Sequence, residues 1–472
     1  MKRAGDSAAG RIGLAEYALV AVVAAFVLLK MAFSFPRFSD GNAYMYMAKL
    51  VAGGAVPYRD FFLASPPLIV YAFALFGKVF GFRWEYFNYL PVLFSAVDAL
   101  VIYLLFRNVF GKLARLSAVA VYLFSFAVLA TTDFYSGIHM ALTLALLGTL
   151  AIVRRWPLLG GALLGLAVLG KLYMVVMFGA LVMYLLFRRK WSDGGKSLAG
   201  FLIVVGATGL FFWWLAGQQF WQAVFFNHWY KVEGIPKWRV VKFFALHDWW
   251  LLLGVLLMFV WRRWAPGIIL LPILFWLVFI LAFSDIYYLY FKMPVVWLAL
   301  WWGWNVAQAG KRWRGLKAAG VVGVLLVAAV TTGVWQYLGQ QAQAAVITNM
   351  DDIVASVERL TGKGKPIYGD YTITPLLALE AGLPVFNNYI DVNPMYFDVG
   401  IFDYEERAEE LKSADVNTVI TRALVLEGGR GWAGAEQVLP VEFFNSYCRV
   451  ARAWPIEQDY SYNAVVIWRC EY

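Results

Sequence analysis

Residues 39–73 read SDGNAYMYMAKLVAGGAVPYRDFFLASPPLIVYAF and directly follow the first long apolar run of the chain. Ser39 or Asp40 is a natural helix N-cap, and Gly53 with Gly54 stops that helix about three turns later. Tyr44, Met45, Tyr46 and Met47 fill its middle, with Lys49 as its one interior charge. Such a composition suits a helix lying in a membrane interface. Pro66 and Pro67 then open a second short apolar helix.

The surrounding chain is of a piece with that reading. Of 472 residues 62% are hydrophobic and only 15% charged, with a mean hydropathy of +0.65. Soluble globular proteins carry about 25% charged residues. The charge here does not suffice to coat a soluble surface, so a purely soluble protein is excluded. Two Cys and three His exclude a disulfide framework, a zinc finger and an HExxH metalloprotease site. Residues 1–344 hold 30 Lys and Arg against 11 Asp and Glu, whereas residues 345–472 hold 10 against 19. The basic residues sit in short clusters between apolar runs, as in cytoplasmic loops, so the high pI does not point to nucleic acid.

A bilayer core takes about 20 apolar residues as helix. The first run, 14–35, follows Lys2, Arg3 and Arg11 and is too long for a signal-peptide core, so it reads as a retained anchor. Further runs lie near 86–106, 117–132, 138–153, 157–171, 173–187, 197–216, 249–261, 266–283, 288–306 and 318–338. That makes eleven predicted spans. With the N-terminus in the cytoplasm, every inner segment is basic: Arg107, Lys112 and Arg115; Arg154 and Arg155; Arg188–Lys190 and Lys196; Arg262 and Arg263; Lys311–Lys317. Residues 66–82 are better placed as a re-entrant or interfacial helix, because a span there would push Arg107, Lys112 and Arg115 outside. As one helix, 157–187 would be about 46 Å long, against a core of roughly 30 Å. Its two basic flanks both belong inside, so it must be a hairpin. An odd count then carries the acidic tail out, making the protein multi-pass in the cell membrane with an extracytoplasmic C-terminal domain.

This topology sets Asp40, Asp60, Glu85, Asp133, Glu233, Asp248 and Asp285 at or near the outer surface. Asp6, Glu16 and Asp193 fall near the inner one, and Asp98 lies within a span. Acids beside very aromatic outer loops suggest chemistry there on something polar; a single such acid is more often a solvated loop residue.

An acid just after the first span, a Tyr-rich short helix, a glycine turn, PYRD and PPL together resemble the GT-C glycosyltransferases. The branch resembled is that of the protein O-mannosyltransferases and aminoarabinose transferases. Three more segments agree in order: TTDFYSGIHMALTLAL (131–146), GGALLGLAVLGKLYM (160–174) and YYLYFKMPVVWLAL (287–300). Two departures stand out. The family often pairs acids in the first loop, whereas Gly41 follows Asp40 here. Its late segment usually carries His or Arg, where this chain has Tyr287, Tyr288 and Lys292.

The resemblance implies a polytopic helical membrane fold and transfer of a sugar, such as the hexose mannose, from a polyprenyl-phosphate donor. The acceptor would be a hydroxyl of a protein, lipid or glycan on the outer face, and the anomeric centre would invert. No nucleotide loop is required, and none of the GxGxxG or GxxxxGK[ST] type is present. The acceptor hydroxyl needs a base, assigned to Asp40. Asp133 is the second acid, for sugar hydroxyls or a divalent metal (Mg or Mn). Lys171, where a short span meets the outer face, is the candidate phosphate ligand, with Lys292 as the alternative cation. Tyr44, Asp60, Tyr287 and Tyr288 complete the expected substrate contacts.

The domain reading is a transferase-like membrane part, 1–344, with outer loops 36–85 and 217–248, and an α/β domain, 345–472. The aromatic segment 217–250 reads as an interface belt or a lid, and its His228, His247 and Asp248 lack diagnostic metal spacing. In the tail, 366–370, 384–388, 417–421 and 464–470 read as strands, with helices near 349–361, 374–381 and 403–412. That alternation predicts a small, largely parallel sheet. Cys448 and Cys470 lie on segments that would pair as neighbouring strands, where either a disulfide or two buried thiols fits. The competing function is a transporter or lipid-linked-sugar flippase. It is disfavoured by the lack of an inverted repeat and by the few charges expected in mid-span. A membrane-anchored binding module would not need the outer acids.

Overall fold

A computed structural model of the chain describes residues 13–226, 235–261, 265–312, 316–425, 432–456 and 462–472. The membrane part runs α1 (Leu14–Ala32), α2 (Asp40–Ala52), α3 (Leu68–Phe80), α4 (Trp84–Leu105), α5 (Lys112–Leu123), α6 (Phe126–Thr131), α7 (Gly137–Val153) and α8 (Pro157–Gly170). It continues with α9 (Val175–Phe187), α10 (Trp191–Ala216), α11 (Gln218–Trp221), α12 (Lys237–His247), α13 (Trp249–Trp261), α14 (Gly267–Ala282), α15 (Lys292–Arg312) and α16 (Leu316–Gln341). Helix underlies each of the eleven predicted apolar runs. Among the described residues three helices, α1, α4 and α10, are long and apolar enough to cross a membrane on their own.

The run 117–132 is not one helix. It breaks at Phe124 and Ser125, where the Ser125 hydroxyl accepts from Val128 N–H at 3.3 Å. The buried Asp248 carboxylate accepts from Phe126 N–H at 2.9 Å and Ala127 N–H at 2.8 Å. Those are the first-turn donors that any helix leaves unpaired. Asp248, expected on the outer surface, is thus the cap of α6.

Glycines let the bundle close. A Cβ on Gly161 would stand 1.9 Å from the Ser197 carbonyl oxygen, and one on Gly200 would stand 2.1 Å from that of Leu158. The glycine-rich α8 therefore lies backbone to backbone on α10, the close approach typical of small-residue faces between membrane helices. Leu185 and Leu186, at the end of α9, lie by Gly194 near the start of α10. The start of α8 and the end of α9 thus meet the same end of α10, and the chain folds back at Lys171. The predicted hairpin is there.

The tail holds all the strands described: β1 (Tyr368–Gly369), β2 (Thr418–Val425), β3 (Trp432–Ala433), β4 (Cys448–Pro455) and β5 (Ala464–Cys470). Helices at Met350–Thr361, Thr374–Glu380 and Tyr404–Ser413 match expectation. The sheet does not. Its order is β1-β2-β5-β4, and only β1 pairs in parallel; β2–β5, β5–β4 and β2–β3 are antiparallel. Residues 384–388 make one parallel bridge, Ile367 to Val385, and then a 3-10 turn rather than a strand. The physical reason is that only eight residues of sequence, 456–463, separate β4 from β5, fewer than the dozen or so that a parallel crossover needs, so they pair in opposite directions. Cys448 stands opposite Cys470 in that pair, and the two are joined by a disulfide.

The tail rests on the first loop. Ser39 N–H donates to Thr372 O at 3.3 Å, and Asn42 Nδ2 donates to the same carbonyl at 2.5 Å and to Arg37 O at 2.9 Å. Val385 N–H donates to the buried Tyr46 hydroxyl at 2.9 Å. One apolar cluster runs from α2 and α3 through to Leu376 and Leu377 of the tail.

Candidate active site

Asp40 is the first residue of α2. Ser39 holds the cap position and makes no side-chain cap bond. A carboxylate in the first turn is favoured by the helix dipole, so Asp40 is held by its place in the helix and is free of the capping role expected for it. It is exposed. Gly41 behind it has a reason: a Cβ there would meet the Tyr135 carbonyl oxygen at 2.7 Å and its ring at 2.8 Å. A second acid in that position does not fit.

Lys171 reaches the same place from the break between α8 and α9. Its Nζ lies 3.4 Å from the hydroxyls of both Tyr44 and Ser65, and 5.5 Å from the Tyr44 ring centroid. Ser65, just before the Pro66–Pro67 step, accepts or donates to Tyr44 at 3.1 Å, while its carbonyl accepts from the Tyr58 hydroxyl at 2.7 Å. Lys171 is half-buried, and among the described residues no carboxylate closes an ion pair with it. Asp40 and Asp391, the latter from the tail, both lie near enough to act on its charge. Burial, and then these two carboxylates, push the Tyr44 phenol well above its ordinary pKa. It stays a neutral donor.

The remaining wall is aromatic. Tyr287 bonds to Asp285 and feels Asp40, and Tyr290 stacks on Tyr173 at 4.4 Å between ring centroids. Tyr371 and the buried Tyr396 close the tail side, each within the field of Asp40 and Asp391. The site is an accessible carboxylate and a half-buried ammonium over a floor of phenols. Asp391, Ser65, Tyr290, Tyr371 and Tyr396 were not singled out in the sequence. Their membership comes from loops and a tail segment far apart in the chain, where no local motif marks them.

Four of the expected residues stand elsewhere. Asp133 is buried and fully engaged: Oδ1 takes Lys30 and the Tyr337 hydroxyl, and Oδ2 takes Gln341 Nε2 at 2.7 Å with Arg37 at 3.5 Å. It fastens α1 and α16 together. Lys292 is entirely buried in the bundle, 2.8 Å from Ser95 Oγ and 2.7 Å from His139 Nδ1. Beside it Asp98 accepts from Thr143 and Tyr122. The membrane part therefore buries more charge than expected, in compensated groups. Tyr288 donates to Asp248 at 3.2 Å. Asp60 pairs with the neighbouring Arg59 at 2.8 Å and accepts from Val56 N–H at 2.7 Å, facing a separate cavity.

His247 stacks on Phe126 and bonds Phe243 O, leaving no metal geometry with Asp248. His228, Trp229, Tyr230 and Glu233 lie outside the described residues. Among those described, no three His, Cys, Asp or Glu gather as a metal site.

The family model of dolichyl-phosphate-mannose-protein mannosyltransferases matches residues 64–214. No curated protein matches the chain. Among solved structures, ArnT of Cupriavidus metallidurans bound to undecaprenyl phosphate is similar with a TM-score of 0.66. The two are 12% identical over 95% of this chain and 97% of that one.

The chain has the GT-C fold.

Two further GT-C structures agree. The archaeal oligosaccharyltransferase AglB of Archaeoglobus fulgidus, in complex with an inhibitory peptide and dolichol phosphate, gives 0.54 at 11% identity over 93% of this chain and 80% of that one. The mycobacterial arabinofuranosyltransferase AftD gives 0.56 at 13% identity, covering 99% of this chain but 40% of that one. The GT-C likeness extends through the tail as well as the helical part.

Proposed function

We propose that the protein is a membrane glycosyltransferase that moves a sugar from a polyprenyl-phosphate donor to a hydroxyl acceptor on the outer face, with inversion. What supports this best is the convergence of Asp40 and Lys171 on one open site walled by Tyr44, Ser65 and Tyr287. Transfer needs a base and an anion-binding cation at one site, and these two side chains come from separate parts of the chain, the start of α2 and the break between α8 and α9.

In this reading an acceptor oxygen attacks the anomeric carbon as the carbon–oxygen bond to phosphate breaks. Its proton passes to the Asp40 carboxylate, and the bonding pair leaves with the polyprenyl phosphate. The charge gained by the phosphate faces Lys171, while Tyr44 and Ser65 offer hydroxyl donors beside it. Lys292 and Tyr288 take no part. A wholly apolar groove of about 300 Å³ lined by Phe76, Val79, Phe80 and Phe94 opens along α3 and α4. Its lining includes Met140, whose Cε would lie 3.5 Å from a Cβ on Gly170, one residue from Lys171. That groove suits the first isoprene units of the donor. The family model favours mannose as the sugar.

Lys171→Ala should weaken donor binding about ten- to a hundredfold, the cost of one charge-assisted bond, with a smaller fall in turnover of bound donor. Titration of polyprenyl-phosphate sugar in detergent measures both; unchanged donor affinity removes Lys171 from the site. The same assay separates transferase from flippase, since a flippase consumes no donor without a sealed bilayer.

Eleven spans with a cytoplasmic N-terminus would carry the tail outside, and the Cys448–Cys470 disulfide accords with an oxidising compartment. A reporter fused after Tyr472 should read as extracytoplasmic. A cytoplasmic readout would set Asp40 on the wrong side for this reaction.

A further inference from the structure

A second cavity, of about 730 Å³, lies where the first outer loop, the residues after α11 and the tail meet. Its backbone is unusual on all three sides. Tyr58 has a φ of 69°, a left-handed value that a bulky side chain seldom adopts, while Asn387 and Asn388, at 46° and 54°, are of the non-glycine type that adopts it most readily. Gln222–Phe226 forms a π-helical turn, a form that recurs at functional sites. Strained backbone of this kind persists where a site needs particular side chains aimed at one place.

The lining is chemically specific. Arg59 and Asp60 bond to each other at 2.8 and 2.9 Å, so the charges at the rim cancel. What remains is four amides, Gln219, Gln222, Asn387 and Asn388, among the rings of Phe62, Phe226, Tyr389 and Phe402. An amide gives a donor and an acceptor at fixed spacing, which matches the vicinal hydroxyls of a sugar. An aromatic face matches the apolar C–H face of the same ring. A charged ligand would find no uncompensated partner, and a lipid chain would leave the amides unpaired.

We propose that this cavity binds the acceptor, and that the acceptor is a neutral saccharide chain. The proposal rests on the transferase reading only for the word acceptor. Phe62 meets the rings of Tyr396 and Phe402 edge to face, at 5.0 and 5.3 Å between centroids. Tyr396 in turn lies in the field of Asp391 and Asp40. The Tyr396 hydroxyl also donates to Asp391 at 3.4 Å, so the cavity and the Asp391 side of the reacting centre share Tyr396, and a chain held in the cavity would leave it past Phe62 and Tyr396 towards that centre.

The test is saturation-transfer NMR on the full chain in lipid nanodiscs, which avoids sugar detergents, with α-mannotriose, N-acetylchitotriose and a Ser/Thr-containing peptide as probes. At least one trisaccharide should receive saturation. Gln222→Ala combined with Asn388→Gly should raise its Kd on the order of tenfold, while Asp40→Asn should leave it unchanged. Glycine accepts the backbone of Asn388, and an unaltered unfolding temperature confirms a folded variant. Binding of the peptide alone, no binding of either trisaccharide, or affinity unchanged in the double variant would each overturn the proposal. Donor consumption in the same nanodiscs reports on the transferase reading separately: saccharide binding without any consumption leaves the cavity assignment standing and removes the transferase.

Discussion

Asp40→Asn is expected to lower sugar transfer by a factor on the order of 10² or more, with expression and donor affinity nearly unchanged. The substitution keeps the size of the side chain and removes only the charge that would take the acceptor's proton. Ser39, not Asp40, occupies the cap position of α2, so the helix start does not depend on the carboxylate. The helix also loses the favourable placement of a negative charge in its first turn, about 0.3–1 kcal/mol at an exposed site. Measurement needs single-turnover transfer from polyprenyl-phosphate sugar beside a donor titration. A large fall in the transfer step with an unmoved donor Kd fits a base. Near-normal turnover would transfer the role to Asp391, the other carboxylate acting on Lys171 and Tyr44. Gly41 excludes a second acid beside Asp40, because Tyr135 fills the space its side chain would need.

The helical frame was legible because it rests on local physics. Apolar run length gives helices, basic flanks turn 157–187 into a hairpin, and prolines and glycines start and stop α2 and α3. Part of the candidate site is legible for the same reason: Asp40, Lys171 and Tyr287 sit at element ends that the sequence marks, and Tyr44 lies one turn into the helix that Asp40 starts. Depth along a membrane helix follows from the sequence, but direction around it does not. Asp133, expected near the outer face, and Lys292, expected as the alternative cation, both point into the bundle, at Lys30 and at His139. Asp391 comes from a tail loop whose sequence, NNYIDVNP, has nothing to tie it to α2. The sheet departs from expectation because alternating helix and strand implies crossovers, whereas β4 and β5 stand only eight residues apart in sequence and pair antiparallel.

Asp133→Ala should be the most destabilising single change in the membrane part, and its effect should arise from packing rather than chemistry. The substitution leaves Lys30 and Arg37, 3% and 8% exposed, without the carboxylate both lean on. Removing one partner of a buried ion pair costs about 3–5 kcal/mol, because the other charge stays buried and uncompensated. Thermal unfolding in a defined detergent should show the loss, and transfer activity would fall with the folded fraction. A second variant separates the two causes. Lys30→Met with Asp133→Leu replaces the pair by apolar groups of similar volume, a change that is often neutral. Its unfolding temperature should return towards that of the natural chain, since Arg37 keeps Gln341 as a partner. If Asp133 only fastens α1 to α16, donor consumption should recover with it. A double variant that is stable, binds donor and yet transfers no sugar would put Asp133 in the reaction beside Asp40.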